Sequence, residues 1–149
     1  MAEIVEILRV YLDAADVSDD TIREVAEITD QRTFEAGDII FREEQASDHL
    51  YIVTKGQVDV QYLLPSGRRQ TVDRLGPSDF LVWSAVVKPH TTSSIAVCRA
   101  KTEVVAIEAE ALRRLCEKDT HFGYHLTSQL ARVIRRRLQA ARLQIADLE

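Results

Sequence analysis

The sequence predicts a mainly β fold, a barrel or sandwich of short strands with helices before and after it. Three observations predict this class. Apolar residues recur at helical spacing in the first thirty residues, short β-rich runs separated by glycine and proline turns fill the middle, and the segment after Gly123 contains neither glycine nor proline. With 149 residues, 46% of them hydrophobic and 29% charged, the chain has the size and balance of one soluble globular domain.

Two short helices are predicted in residues 1–30. Ser18 is a suitable N-cap for the second helix, because its hydroxyl can accept a hydrogen bond from a backbone amide of the first turn. Asp19 and Asp20 follow the cap, where the helix dipole favours negative charge. The residues that share one face of the first helix are Ile4, Ile7, Leu8, Tyr11 and Leu12.

The β-rich region spans residues 31–108. Its runs are short and regularly spaced, which favours a barrel or sandwich over a βαβ sheet. The segment VDVQYL alternates apolar and polar residues, as a strand with one buried face does. The predicted strands are residues 38–41, 49–54, 57–64, 69–75, 93–100 and 102–107.

Two C-terminal helices are predicted in residues 109–149, a short one over 109–117 and a long one from about Asp119. One apolar stripe of the long helix, Leu126, Leu130 and Val133, is predicted to pack on the β region. A second stripe, spaced alternately by four and three residues, predicts a homodimer formed by this helix, and the alternative is a solvent-exposed tail. The predicted dimer contacts are Ala131, Ile134, Leu138, Ala141, Ile145 and Leu148.

The residues also exclude several classes of function. The motifs of serine hydrolases, P-loop proteins, HExxH metalloproteases and dinucleotide-binding folds are all missing, so no enzyme activity is predicted. No run resembles a membrane helix or a signal peptide, and a cytoplasmic location is expected. Cys98 and Cys116 are expected to be buried thiols, and His121 and His125 to be ordinary helical residues, so no metal site is predicted.

The charge is unevenly distributed. The net charge is −5, but residues 1–50 hold fourteen acids and four arginines, whereas residues 132–142 hold five arginines and no acid. The run Arg135, Arg136, Arg137 is interpreted as a solvated helix face. Direct nucleic-acid binding is not expected, because no helix-turn-helix follows the long helix, unless the sequence is a piece of a longer protein.

One long segment resembles a known signature. FEAGDIIFREEQASDHLYIVTKGQVDV, residues 34–60, is similar to the pattern of the cyclic nucleotide-binding domain family, the sensory domain of catabolite-activator and FNR-type bacterial regulators. LGPSDF (75–80) and RAKTEVVAI (99–107) are similar to further family patterns, and the final helix resembles the family's dimerisation helix. Glu44 and Ser78 stand where the family pattern has glycines.

The resemblance implies a β-roll with a phosphate-binding cassette between Phe80 and Ala96. In the family, backbone amides and an arginine bind a cyclic phosphate, and a glutamate beside a glycine accepts the ribose hydroxyl. Here Val82 aligns with the glycine, Trp83 with the glutamate, and Ser94 falls at or near the arginine, which leaves a polar, uncharged lining. Removing one partner of a buried charged contact costs roughly 2–5 kcal/mol, which argues against cyclic nucleotide binding at micromolar strength.

Three hypotheses follow. The favoured one is a regulatory module that senses a small molecule of unknown identity and needs no cofactor. The alternatives are a scaffold whose cavity is filled by Trp83, and a true cyclic nucleotide-binding domain of a truncated transcription regulator. The predicted ligand-binding residues are Val82, Trp83, Ser84, Ala85, Thr92, Ser93 and Ser94.

Overall fold

A β-roll forms the middle of the chain, with two helices before it and two after it. The protein is described by a computed structural model over residues 2–12 and 16–148. The helices are α1 (Ala2–Tyr11), α2 (Asp19–Glu27), α3 (Ala109–Lys118) and α4 (Thr120–Asp147), with a 3₁₀ helix at Trp83–Ala85. The strands are β1 (Thr29–Phe34), β2 (Ile39–Phe41), β3 (His49–Lys55), β4 (Val58–Leu63), β5 (Arg69–Leu75), β6 (Phe80–Leu81), β7 (Ile95–Cys98) and β8 (Thr102–Glu108).

The strands form two antiparallel sheets of four, in the orders β1-β8-β3-β6 and β2-β7-β4-β5. Apolar side chains of both sheets meet in one core with the buried faces of the helices. The predicted class, a mainly β roll with flanking helices, is confirmed. Among the helices in the described part of the chain, none combines the length and apolar content needed to cross a bilayer.

Two strands, β1 and β6, were not predicted from the sequence. Strand β1, TDQRTF, lies at the edge of its sheet and pairs only with β8, so half of its side chains are exposed and its sequence shows no apolar alternation. Strand β6 has two residues, too few to show a period. The six other strands lie within or close to the predicted runs.

Side-chain caps begin two of the helices. The Ser18 hydroxyl accepts from the amide of Thr21 at 3.2 Å, as predicted for α2. Asp119 caps α4 by accepting from the amide of Phe122 at 3.1 Å, and its second oxygen accepts from the Thr21 hydroxyl at 2.7 Å. One carboxylate therefore joins α2 to the start of α4.

The two stripes of α4 have different environments. Leu126, Leu130 and Val133 are buried against the roll, which confirms the predicted packing stripe. Near the start of α4, Gly123 touches α3 so closely that a Cβ atom there would lie 2.7 Å from the Cys116 carbonyl oxygen. The second stripe, hereafter the coiled-coil stripe, consists of the predicted dimer contacts from Ala131 to Leu148. It is mostly exposed in the single chain, with Leu138 49% and Ile145 62% accessible.

Four residues with reactive side chains have structural roles. Burial raises the pKa of the Cys116 thiol to about 11 and also raises the pKa of Cys98, which keeps both thiols protonated at neutral pH. His125 Nε2 lies 2.8 Å from the Leu12 carbonyl oxygen and His121 Nε2 lies 3.0 Å from that of Asp16. Each imidazole thus donates to the segment that joins α1 to α2.

The Asp119 cap predicts a pH-dependent contribution to stability. Its hydrogen bond from Thr21, with that from Phe122, holds the pKa of Asp119 below its ordinary value. A carboxyl with a depressed folded-state pKa stabilises the fold above its unfolded pKa of about 3.9 and loses that contribution as pH falls through the lower folded value. We expect Asp119→Ala to cost about 1 kcal/mol at pH 7 and less below pH 4, measured by urea unfolding across this range.

Asp119→Asn is the matched control, since asparagine caps a helix well but does not titrate. It should keep most of the stability at pH 7. A cost of Asp119→Ala that stays constant from pH 7 to pH 3 would contradict the role of the ionised carboxylate.

Candidate functional site

A cavity of about 300 Å³ opens between the roll and the cassette, residues 80–96. Strands β2, β4 and β5 form one wall and the cassette forms the other. This volume is at the lower end of the range for small-molecule sites. Six of the seven predicted ligand-binding residues line the cavity: Val82, Trp83, Ser84, Thr92, Ser93 and Ser94.

Ala85 is the predicted residue that does not line the cavity. It is fully buried, and its amide donates to the Val82 carbonyl at 2.9 Å within the 3₁₀ helix. Its carbonyl accepts from Arg113 of α3 at 2.7 Å. The Ala85 amide is therefore not free to bind an anion, and the residue joins the cassette to α3.

Trp83 lines the cavity without filling it. The indole is only partly buried and forms part of the wall, with open space remaining beside Ser84 and Thr92. The guanidinium carbon of Arg137 lies 5.6 Å from the centre of the indole ring, within the range of a cation–π contact. The structure thus has the open cavity expected for a sensor, and the indole does not occupy it as the scaffold hypothesis requires.

Three positions have the left-handed backbone conformation that is normally found at glycine. Three residues other than glycine have positive φ in the described chain: Glu44 at 56°, Ser78 at 80° and Val82 at 67°. These are the three positions where the sequence departs from glycines of the family pattern. Positive φ is uncommon outside glycine and strained for a β-branched residue such as valine, so the turns have kept their conformation after losing the residue best suited to it.

Two of the predicted hydroxyl donors are already bound by the protein. The Ser84 hydroxyl lies 2.6 Å from that of Ser47. The Thr92 hydroxyl donates to the Arg42 carbonyl and accepts from the Gln45 amide at 3.0 Å, so it fastens the β2–β3 loop. Ser94 is 8% exposed, and its hydroxyl has no partner among the described residues, so it remains available to a ligand.

Arg137 reaches the cavity from α4 and was not among the predicted site residues. The prediction of an uncharged lining is wrong, because the lining includes Arg137 as well as Lys88, and no carboxylate. The predicted solvated face is also wrong for Arg137, because its side chain is only 18% exposed. The signal was present in the sequence, because Arg137 follows Val133 by four residues and continues the stripe that packs on the roll.

The largely buried guanidinium of Arg137 makes few hydrogen bonds with the described residues. One nitrogen donates to the Phe80 carbonyl at 2.9 Å, whereas the carboxylates of Asp73 and Asp79 lie 3.7 and 3.8 Å away, beyond hydrogen-bond distance. Burial lowers the pKa of Arg137, and Asp79 and Asp73 raise it. The group keeps its charge at neutral pH, as arginine does in proteins.

Comparison with known proteins agrees with this geometry. A family model described as "Cyclic nucleotide-binding domain" matches residues 31–119. A "CRP-like cAMP-activated global transcriptional regulator" of Mycobacterium tuberculosis is 30% identical over 115 residues, which are 77% of this chain and 50% of the relative. The chain therefore spans about half the length of the curated relatives it matches.

Solved structures share the fold. A Geobacter metallireducens protein assigned to cyclic nucleotide binding is 28% identical, with a TM-score of 0.79 over 89% of this chain and 96% of that one. A cyclic nucleotide-binding domain from Methylobacillus flagellatus has a TM-score of 0.85 over 99% of this chain and 85% of that one, at 16% identity. The second likeness concerns the fold alone.

The positive φ of Val82 predicts an unusual order of stability. Val82→Ala and Val82→Gly both remove the same buried γ-methyl groups, but only glycine relieves the left-handed backbone, which costs an L-residue about 1–2 kcal/mol. We expect Val82→Gly to be the more stable of the two by about 1 kcal/mol in urea unfolding. Glycine is ordinarily the worse replacement, so an alanine variant of equal or greater stability would contradict the strain at this position.

Proposed function

The chain belongs to the cyclic nucleotide-binding domain family, and on this premise we propose that it is a non-enzymatic sensory module whose roll binds a small molecule and whose α4 responds to it. The observation that carries the proposal is the open cavity of about 300 Å³ between the roll and the cassette. Its lining combines apolar walls with a few polar groups, the usual composition of a ligand site.

The specificity we propose differs from that of a cyclic nucleotide receptor. Trp83 stands at the position that aligns with the ribose-binding glutamate, and Ser94 at or near that of the phosphate-binding arginine. A neutral hydroxyl and an indole at these two positions cannot make the contacts of a bidentate guanidinium and a carboxylate, and the guanidinium that does line the cavity, that of Arg137, comes from α4 instead. A ligand of this cavity is therefore recognised by other contacts.

Two arginines connect the cassette to the C-terminal helices. Arg113 of α3 donates to the Ala85 carbonyl at 2.7 Å, and Arg137 of α4 donates to the Phe80 carbonyl at 2.9 Å. A ligand that moves the cassette changes the positions of both carbonyls, so it favours a different placement of the helices. This gives the differential contacts that a ligand-driven shift requires.

We propose further that α4 forms a parallel or near-parallel homodimer through the coiled-coil stripe. Exposed apolar residues along one helix face are well explained by a second copy of the chain. Ala141, Ile145 and Leu148, at the far end of the stripe, also border an open groove against β5 of the same chain.

The first test concerns specificity. We expect calorimetry to show no micromolar binding of cyclic AMP or cyclic GMP to the wild type. Restoring the family residues in Val82→Gly/Trp83→Glu/Ser94→Arg should strengthen cyclic AMP binding by about 30-fold or more, since each charged partner contributes roughly 2 kcal/mol or more. Val82→Gly alone is the control, because it changes the backbone without adding charge. Micromolar binding to the wild type would overturn the altered specificity.

The second test concerns the dimer. Leu138→Glu places a charge in the middle of the coiled-coil stripe and should convert the protein to a monomer in light scattering after gel filtration. Leu143→Glu is the matched control, because Leu143 is 72% exposed on the same helix but lies outside the stripe. Loss of the dimer in both variants, or a wild-type monomer at high concentration, would contradict the proposal.

A further inference from the structure

The charges around the cavity indicate the chemistry of its ligand. Lys88 and Arg137 are the ionisable residues among its lining, and both are cations. Asp73 and Asp79 lie near the Arg137 guanidinium but are not part of the lining. A ligand in the cavity thus contacts two cationic side chains and no carboxylate of the lining.

The polar groups available to a ligand are mostly hydrogen-bond donors. A guanidinium carries five N–H groups, and in Arg137 one donation lies within hydrogen-bond distance, that to the Phe80 carbonyl. The ammonium of Lys88 only donates, and the Ser94 hydroxyl can do so. A ligand that pairs with these donors must be rich in hydrogen-bond acceptors, as an oxyanion is.

The environment of Arg137 also suits the binding of an oxyanion. The side chain is largely removed from water, with 18% exposed, and its planar fork can bind two oxygens of a carboxylate or phosphate at once. Its two carboxylate neighbours are at 3.7 and 3.8 Å, so they offset the charge without using the remaining N–H groups. Phe41, Leu81 and Trp83 also line the cavity, and the two aromatic rings among them favour packing against a flat ligand.

We propose that the cavity binds a small flat molecule bearing an oxyanion, with Arg137 of α4 as the main contact to the negative group. This rests on the proposed function, that the roll binds a small molecule. The oxyanion competes with the Phe80 carbonyl, Asp73 and Asp79 for the guanidinium. Binding therefore acts on α4 directly through a residue of that helix.

The test uses the single tryptophan of the chain, Trp83, whose fluorescence reports on the cavity. The probes are benzoate and phenyl phosphate, with benzamide as the neutral probe of benzoate's shape. We expect both anions to change the Trp83 emission saturably and to bind more tightly than benzamide. In Arg137→Gln, anion binding should weaken about 10- to 150-fold, the range of a charge-assisted hydrogen bond, whereas benzamide binding should change little.

Further variants separate a lost contact from a damaged fold. Arg137→Lys keeps the charge and should retain part of the preference for anions. Arg136→Gln removes a neighbouring arginine that lies outside the cavity lining and should behave as wild type. Thermal unfolding of each variant monitors the fold.

The outcomes distinguish this inference from the proposed function. Equal binding of benzoate and benzamide, unchanged in Arg137→Gln, would overturn the oxyanion contact and leave small-molecule binding supported. An anion preference lost in Lys88→Gln but kept in Arg137→Gln would overturn the role of Arg137. No saturable response to either anion would overturn the inference, and no response to benzamide as well would count against the proposed function.

Discussion

The packing of one stripe of α4 against the roll determines where a positive charge lies at the cavity. Leu126, Leu130 and Val133 bury their side chains in the core, and each such burial contributes roughly 1.5–3 kcal/mol. The same helical spacing carries Arg137 to the cassette, where its guanidinium faces Trp83 and the Phe80 carbonyl. The position of a charge at the site is thus fixed by hydrophobic packing elsewhere on the helix.

This dependence explains what could be predicted from the sequence. The helices, the central strands and the buried stripe follow from local periodicity and capping, and Ser18 is a clear example, because its acceptor lies three residues from its donor. The predicted ligand-binding residues came from the resemblance to the family, and most of them line the cavity. Arg137 was missed because it lies about forty residues beyond the cassette, and the arginine run around it suggested a solvated face.

The hydroxyl groups illustrate a second limit of sequence reasoning. Ser84, Thr92 and Ser94 look equivalent as donors in the sequence. In the fold, Ser84 is bound to Ser47 and Thr92 to the β2–β3 loop, and of these three only the Ser94 hydroxyl has no partner within residues 2–12 and 16–148. Which hydroxyl is available depends on contacts between segments 37 to 50 residues apart, and no local pattern records these.

The close contact of Gly123 with Cys116 has a mechanical consequence. Since a Cβ would lie 2.7 Å from the Cys116 carbonyl oxygen, α3 and α4 meet backbone to backbone, and there is little room for them to slide past one another. A tilt of α4 relative to α3 would therefore pivot at this contact, which lies near the start of α4. At about 1.5 Å per residue, α4 extends about 36 Å from Gly123 to Asp147, so a tilt of about 5° at the contact would displace the end of α4 by about 3 Å.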